Sequence, residues 1–547
     1  MPRRSQSKQA AKQRSSASTT DWMLATAILV MAALFPLINA ALPIIYDEHY
    51  TLREYASTSF HHIATTYDLP NNHIGFTLLL RVWMFVLDVI GPREYLKPSL
   101  YLLRLPVVLA AFVACGAGFL LARKLVSRDV VVASLVSLLL ISAPVVAYHS
   151  FQLRGYMPCI AYITVALTVI AYSSSMRWYT VVALLGSAVF LAQYTLPTNI
   201  WFLLPLIFGT ALLALAAVTT WLSQQPTPTA PQRPRATDAD AHRPIWRRVI
   251  GNRALFSALV TAPAALALAL LCWTRVWVQL QAQNTHRTTS FHDFLSALRT
   301  HAQLLAEGAG PLPGVWLNWA MVIAGTTTVL ICALRGNSFA RHTLLLAVPI
   351  VWLCVPLAAF TSTSAFSRNF TIAAPAFAIL GAWSVIGASL MFNHVIKFGI
   401  APSQEKDTPP VSAAWPSRIA VGVLALLAMG NGWRSMSAVW RDHRPDQAIA
   451  AVVGDNRPQS VIVHETDADA VALDYYAYRA GRQQPISYDI APRDLCQRVP
   501  TVYLLAASDG TLEKMLMHFN IPKAGTDKLQ HLGQYGKVRV ARYSAAR

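Results

Sequence analysis

Long apolar runs recur along most of this 547-residue chain, and they restrict its fold more than any other feature. Apolar residues make up 54% of the sequence and charged residues only 13%, with a mean hydropathy of +0.41, which is not the composition of a water-soluble globule. Because about 20 apolar residues of α-helix cross a bilayer, we predict an all-α polytopic membrane protein with about eleven membrane-spanning helices. The predicted spans are residues 22–45, 99–122, 130–147, 157–172, 178–194, 198–220, 254–273, 314–334, 343–360, 371–392 and 419–433.

Arginine and lysine lie in every second connection between the predicted spans, beginning with the N-terminal tail at residues 1–21. Since basic segments stay on the cytoplasmic side, the alternation predicts a multi-pass protein of the cell (inner) membrane with a cytoplasmic N-terminus. The C-terminal region is then extracytoplasmic. The formal charge of +19 is explained by attraction to anionic lipid, and nucleic acid is not a predicted partner because no binding motif accompanies the charge.

The first outer loop, residues 46–98, contains a further apolar stretch at residues 74–90. Arg81 lies near the middle of this stretch and Asp88 near its end, and charges inside a bilayer are costly. We therefore predict an amphipathic helix that lies at the outer interface. A membrane-spanning helix at this position would invert every later loop and turn the basic loops outward.

Two segments interrupt the apolar pattern of the membrane domain, which extends over residues 22–440. Residues 221–253 are rich in proline, threonine and alanine, which predicts a cytoplasmic linker without a packed core. The composition becomes polar after residue 440. Strand-like runs at 460–464, 501–506 and 537–543 alternate with helical runs at 468–479 and 511–519, so residues 441–547 are predicted to form a small extracytoplasmic α/β domain.

The acidic pair Asp47-Glu48 directly follows the first span, at the outer surface of the predicted bilayer. A carboxylate at this place can accept the proton of an acceptor hydroxyl that attacks a lipid-borne substrate. The alternative is that the pair only marks the end of a span, as acidic residues often do.

Other polar clusters are predicted to lie on the same side of the membrane and to bind substrate. They contain Asn71, Asn72 and His73 in the first outer loop, His149, Gln152, Arg154 and Tyr156 in the second, and Arg368 at the outer end of the tenth span. Arginines from two separate loops suit bidentate capture of a phosphate. The alternatives are a turn at Asn71-Asn72 and interfacial anchoring by the two arginines.

Histidines in the first outer loop raise the question of a metal ion, because His49, His61, His62 and His73 share this loop with the acidic pair. Adjacent histidines rarely point at one ion, and no pair spaced for a helical metal site lies near the acids. We therefore predict no cofactor, and dependence on a divalent metal is the less favoured alternative.

In their order along the chain, these motifs resemble those of the GT-C superfamily of polyprenyl-phosphate-sugar glycosyltransferases, which includes protein O-mannosyltransferases and lipid A aminoarabinose transferases. The resemblance covers residues 20–390 and rests on Asp47-Glu48, Asn71-Asn72-His73, Leu103-Arg104-Leu105-Pro106, Gln152-Leu153-Arg154-Gly155-Tyr156, and Arg368-Asn369-Phe370 followed by Pro375. The chain departs from the family at Gln152, where an acidic residue is common, and after His73, which precedes Ile74-Gly75 and not two prolines.

The resemblance implies transfer of a sugar from a polyprenyl (undecaprenyl) phosphate carrier to an acceptor hydroxyl on the extracytoplasmic face, with inversion. Asp47 would be the general base, and Glu48 would position the acceptor or tune its neighbour. Arg154 and Arg368 would stabilise the leaving phosphate. The acceptor is left open between a lipid, a polysaccharide and a protein.

Two other classes of protein share the predicted topology. A transporter or flippase would usually place ionisable residues inside the membrane, whereas the middles of the predicted spans contain none. A non-catalytic assembly protein could use the C-terminal domain to recruit partners, with Asp47-Glu48 as a simple flank.

Overall fold

A computed structural model of the chain describes residues 17–67, 72–90, 99–223, 253–283, 290–361, 366–399, 414–455, 457, 459–465, 471–482, 485–521 and 528–544. The predicted architecture is confirmed. Among these residues, ten helices are long and apolar enough to cross a membrane, and a single β-sheet follows the last of them. The basic tail before residue 17, the linker at 224–252 and Asn71 lie outside the described residues.

The membrane domain consists of helices joined by short connections. In chain order the helices are α1 Thr19–Asn39, α2 Tyr46–Tyr50, α3 Phe60–Thr65, α4 Ile74–Ile90, α5 Leu100–Leu125, α6 Val130–Ser142, α7 Pro144–His149, α8 Tyr156–Tyr172, α9 Trp178–Thr195, α10 Ile200–Ser223, α11 Arg253–Trp273, α12 Trp277–Gln283, α13 Phe291–Ala309, α14 Val315–Leu334, α15 Ser338–Thr361, α16 Ala374–Gly399 and α17 Ala414–Asp442.

Each predicted span overlaps a helix, but several predicted boundaries are wrong, and the ends of the first and third spans have a clear physical reason. The first span ends at Asn39 and not at residue 45, because the backbone becomes irregular and then extended before Pro43 and the acidic pair. The third predicted span is divided at Pro144, which cannot donate a helical hydrogen bond and keeps Ala143 out of the helical region, with ψ of 131°.

Helix α6, Val130–Ser142, is too short to cross a bilayer of about 30 Å, since a helix rises about 1.5 Å per residue. Every residue of α6 except Leu135 is buried. The helix packs against α1, α5 and α17, so it occupies the centre of the bundle and directs α7 toward the loop at Arg154.

The predicted helix in the first outer loop is present as α4, Ile74–Ile90. One side of α4 packs against α3 and α9, whereas the apolar side chains of Phe85, Val89 and Ile90 are exposed. An exposed apolar face suits a helix that lies in the outer interface, and this placement stays a prediction.

Sequence analysis missed helix α13, Phe291–Ala309, in the connection that precedes the eighth predicted span. Its buried residues Ala297, His301 and Leu305 recur every fourth position, which is the helical signal that was overlooked. Gly308 packs so closely on the carbonyl of Ser367 that a Cβ would lie 2.0 Å from the oxygen. Helix α13 therefore supports the segment that carries Arg368.

The C-terminal domain is an α/β domain with a mixed five-stranded sheet in the order β2-β1-β3-β5-β4. Strands β1, β2 and β3 are parallel, and β4 and β5 form an antiparallel hairpin. The elements are α18 Pro445–Asp455, β1 Ser460–His464, α19 Val471–Arg479, β2 Ile486–Ser487, α20 Leu495–Arg498, β3 Thr501–Ala506, α21 Asp509–His518, β4 Leu529–Tyr535 and β5 Val538–Ser544.

Helix α19 of the C-terminal domain packs against the membrane domain. Ala472 and Tyr475 on this helix belong to the same buried apolar cluster as the membrane helices, whereas the sheet has its own clusters on its two faces. The first helical turn after α1 is therefore in contact with the C-terminal domain.

Candidate functional site

Asp47 and Glu48 are adjacent on the short helix α2, but their side chains have different surroundings. Successive residues of a helix point about 100° apart, so two neighbours can face opposite environments. The Asp47 side chain is 23% exposed, whereas that of Glu48 is 0% exposed. The predicted acidic pair is thus one accessible carboxylate and one buried carboxylate.

Glu48 forms a bidentate ion pair with Arg104, which lies in the first turn-and-a-half of α5. Nε of Arg104 donates to Oε1 of Glu48 at 2.9 Å, and a terminal nitrogen donates to Oε2 at 2.6 Å. The backbone N–H groups of Leu153 and Ile45 donate to the same carboxylate at 2.9 and 3.1 Å. Four donors therefore satisfy the buried charge, as a stable buried ion pair requires.

Arg104 uses its other N–H groups to hold the chain between α1 and Asp47. It donates to the carbonyls of Ala40 at 3.0 Å, Leu42, and Pro43 at 3.2 Å. All five guanidinium donors thus have acceptors inside the protein. The sequence indicated Arg104 only through its place in a motif, and no pattern along the chain pairs it with Glu48.

Asp47 accepts from two arginines that come from distant parts of the chain. Arg154, whose side chain is 1% exposed, forms an ion pair with Oδ2 of Asp47. Arg368, 30% exposed, donates to the same oxygen at 3.3 Å. Two positive groups and one negative group leave an excess of one positive charge, which favours binding of a further anion.

The loop that presents Arg154 is held by close packing around Gly155. The N–H of Arg154 donates to the carbonyl of Gln152 at 2.6 Å, which makes a tight turn before α8. A Cβ on Gly155 would lie 2.4 Å from Cγ2 of Thr195 and 2.9 Å from Cβ of His73. Only glycine therefore allows the loop that carries Arg154 to meet the loop that carries His73 here.

His73 belongs to this contact through both nitrogens of its ring. Nδ1 accepts from the N–H of Gly155 at 2.7 Å, so the hydrogen of the ring is on Nε2. Nε2 lies 3.4 Å from a terminal nitrogen of Arg154, which is also a donor. A donor at Nε2 beside the Arg154 guanidinium group suits an acceptor such as a phosphate oxygen.

His149 and Gln152 form a buried pair beside the arginines. Nδ1 of His149 lies 2.8 Å from Oε1 of Gln152. Burial, assisted by the charges of Arg154 and Arg368 and opposed by the hydrogen bond to Gln152, lowers the pKa of His149 to about 3, so the ring is neutral. Gln152 thus adds no charge where the family that the sequence motifs resemble commonly has an acidic residue.

Two of the predicted substrate-binding residues, Asn72 and Tyr156, are buried and pack inside the protein. Asn72 is fully buried and donates to the carbonyls of Ile63 at 2.9 Å and Thr66 at 2.6 Å, so its amide nitrogen holds the end of α3. The ring of Tyr156 packs edge-to-face against His73 at 4.7 Å. Asn71 lies outside the described residues.

No group of three or more His, Cys, Asp or Glu side chains in the described part of the chain is arranged to hold a metal ion. The ring of His49 packs edge-to-face against the ring of Tyr475, with the centroids 6.5 Å apart. Independence from metal stays a prediction that a chelator experiment tests.

Comparisons with known proteins give no match to a protein-family model and no match among curated protein sequences. Among solved structures, the chain is similar to ArnT from Cupriavidus metallidurans bound to undecaprenyl phosphate. The TM-score is 0.47 at 14% sequence identity, with 97% of this chain and 99% of that chain covered. It is also similar to the oligosaccharyltransferase AglB from Archaeoglobus fulgidus in complex with an inhibitory peptide and a dolichol-phosphate. There the TM-score is 0.40 at 12% identity, with 89% of this chain and 70% of that chain covered.

Proposed function

We propose that this protein is a membrane glycosyltransferase that moves a sugar from a polyprenyl-phosphate carrier to an acceptor hydroxyl at the extracytoplasmic surface. The observation that carries the proposal is the partly exposed carboxylate of Asp47 between Arg154 and Arg368. A base and two cations at one place are the groups that this reaction requires.

The excess positive charge of the site supports a phosphate-bearing donor. Arg154 and Arg368 can each offer two parallel N–H groups to phosphate oxygens, and Nε2 of His73 offers one more donor. The cations would neutralise the charge that grows on the phosphate as it leaves, in a place where Arg154 is shielded from water.

The proposed step forms one bond and breaks another at the anomeric carbon. The acceptor oxygen attacks this carbon from the face opposite the phosphate, and Asp47 takes the hydroxyl proton. The bond between the anomeric carbon and the phosphate oxygen breaks, and the polyprenyl phosphate leaves with the electron pair. A single displacement of this kind inverts the anomeric configuration.

Substrate binding itself would prepare the base. In the described structure, Oδ2 of Asp47 accepts from both arginines. A phosphate that binds the same guanidinium groups would compete with Asp47 for them. The carboxylate would then be free to accept a hydrogen bond from the acceptor hydroxyl.

Glu48 takes a different role from the one expected from the sequence. Its carboxylate is fully buried and accepts from Arg104 and two backbone N–H groups, so it does not face an acceptor. We assign it to positioning, because its bond to the N–H of Leu153 fixes the backbone next to Arg154.

Incubation of purified protein with undecaprenyl-phosphate sugars labelled in the sugar, together with cell-envelope fractions, tests the proposal. We expect label to move to a lipid, polysaccharide or protein fraction, with added undecaprenyl phosphate as a competitive inhibitor. The same reaction with a chelator tests the predicted independence from metal. If none of the labelled sugars is transferred to any of the envelope fractions, the proposed function is overturned.

A further inference from the structure

The chain between α1 and Asp47 is held from two directions. From the membrane domain, Arg104 binds the carbonyls of residues 40, 42 and 43. The peptide groups of Ile44 have partners from the C-terminal part of the protein. The N–H of Ile44 donates to the hydroxyl of Tyr476 at 2.8 Å, and Nε2 of His443 donates to the carbonyl of Ile44 at 2.9 Å. We call Tyr476 and His443, with the Ile44 peptide between them, the Ile44 clamp.

Ile44, at the centre of the clamp, is buried, and its two partners are half-buried, so a lost hydrogen bond of the Ile44 peptide is hard to replace. Ile44 is 0% exposed, so water does not reach its peptide in this structure. A buried backbone N–H without an acceptor is unfavourable, and the surrounding chain moves to find one.

His443 is itself fixed by the sheet of the C-terminal domain. The turn between β4 and β5 pairs with the end of α17 through a backbone bridge between His443 and Gly536. The N–H of Lys537 donates to the carbonyl of Asp442 at 2.9 Å. A Cβ on Gly536 would lie 2.4 Å from this carbonyl oxygen, so the turn fits closely against the last membrane helix.

Tyr476 is fixed by helix α19, which packs on the membrane domain. Tyr475 on this helix belongs to the membrane-domain core, and Asp474 forms an ion pair with Arg53 at 3.4 Å. Burial raises the pKa of Tyr476, so its hydroxyl stays protonated and its oxygen accepts from Ile44.

A single residue, Ile45, separates the clamp from the helix that carries Asp47. The carbonyl of Ile45 accepts from the N–H groups of Glu48 at 3.1 Å and His49 at 3.0 Å, which makes Ile45 the cap of α2. A displacement of the Ile44 peptide therefore turns the first residues of α2 and moves Asp47 relative to Arg154.

We propose that the C-terminal domain completes the active site: Tyr476 and His443 are positioning residues that hold the Ile44 peptide and thereby orient Asp47. The inference rests on the proposed function for the role of Asp47 as the base. It gives the domain a part in the rate of transfer, beyond acceptor recognition or support.

The variant Tyr476→Phe removes one hydroxyl and nothing else, and Tyr478→Phe on the same helix is the matched control, since Tyr478 is 52% exposed. We expect amide hydrogen exchange of a peptide that covers residues 44–50 to be at least about tenfold faster in Tyr476→Phe. We expect kcat to fall by about tenfold or more with KM for the donor changed less than twofold, because a misplaced base slows the reaction without weakening donor binding. Tyr478→Phe should match the wild-type protein in all three measurements.

Substitution of His443 provides an independent test, which remains informative if Tyr476→Phe destabilises the whole C-terminal domain. The variant His443→Gln keeps an N–H donor and should restore most of the rate that His443→Leu loses. Exchange at residues 44–50 that is unchanged in both Tyr476→Phe and His443→Leu would overturn the clamp. Faster exchange with an unchanged kcat would overturn the positioning role while leaving the proposed function intact. If the wild-type protein transfers no sugar, the proposed function and the positioning role both fail, and the exchange rates still report whether the clamp holds the chain.

Discussion

Asp47 and Glu48 are neighbours in the sequence, yet each is the centre of a different kind of region. Around Glu48, every charge is buried and every donor of Arg104 has an acceptor. Around Asp47, the two arginines outnumber the carboxylate, and both Asp47 and Arg368 reach the surface. We call the surroundings of Glu48, in which the charges are balanced and buried, the closed region. We call the surroundings of Asp47, in which positive charge is in excess and solvent has access, the open region.

The difference shows how one short helix can serve stability and chemistry at once. A closed ion pair holds the backbone of residues 40–48 and the N–H of Leu153 in fixed places. The open region can then present a carboxylate and two guanidinium groups without relying on their own contacts for position. The predictions below change one region at a time, in order of decreasing expected effect.

Asp47→Asn should break the open region. We expect kcat to fall by about 10² to 10⁴-fold, the usual contribution of a general base, since an amide cannot take the proton. The matched control is Glu54→Gln in the same loop, whose carboxylate is 44% exposed and pairs only with Arg53 among the described residues. Transfer at more than a tenth of the wild-type rate in Asp47→Asn would contradict the assignment of the base.

Arg104→Ala should break the closed region. Removal of one partner leaves Glu48 charged and buried, and we expect the free energy of unfolding in detergent to fall by about 3–5 kcal/mol. Denaturant titration measures this, with Arg441→Ala as the control because Arg441 is 77% exposed. The double variant Arg104→Met with Glu48→Leu should lose less than Arg104→Ala alone. A loss below about 1 kcal/mol for Arg104→Ala, the level of an exposed pair, would show that the ion pair is not the anchor.

His49 is a buried residue next to Glu48, and it should make the free energy of unfolding depend on pH. Burial, with a contribution from the charge of Arg53, lowers the pKa of His49 from 6.5 to about 4. Between these values the unfolded chain binds a proton that the folded chain does not. The free energy of unfolding should therefore fall by at most about 1.4 kcal/mol per pH unit as the pH drops from 6.5 to 4, and this group has no effect above 6.5.

The variant His49→Leu should lack this part of the pH dependence, whereas His61→Leu, at an exposed position, should keep it. Denaturant titrations at several pH values give the comparison. Equal acid sensitivity in His49→Leu and the wild-type protein would place the buried titrating group elsewhere.

Arg368→Gln should weaken the open region least, because Arg368 is partly exposed and Arg154 remains. We expect kcat to fall by about tenfold, which corresponds to about 1.4 kcal/mol of transition-state stabilisation. The kcat of Arg368→Lys should lie between those of the wild-type protein and Arg368→Gln, since lysine keeps the charge but not the paired donors. An unchanged kcat in Arg368→Gln would remove Arg368 from the site.

The sequence was sufficient to predict the membrane helices, because each apolar run gives a signal that adds up over many residues. It was also sufficient for strands β1 and β3, which are apolar and bounded by polar residues. Strand β4, Leu529–Tyr535, was missed since it is largely exposed and carries Gly533, so its pattern is weak.

The site could be predicted only as a set of separate clusters. Asp47 is 107 residues from Arg154 and 321 from Arg368, so their contact depends on how the bundle closes. The division of labour within the acidic pair depends on Arg104, 56 residues away from Glu48. No local pattern shows which of two adjacent carboxylates will be buried.

The central claim is that the arginines around Asp47 bind the phosphate of the lipid carrier. A cryo-EM map of the protein in lipid nanodiscs with undecaprenyl phosphate tests it most directly. We predict density for the phosphate within hydrogen-bonding distance of Arg154 and Arg368, with Asp47 facing the open space beside it. A phosphate bound elsewhere, with both arginines still on Asp47, would contradict the account.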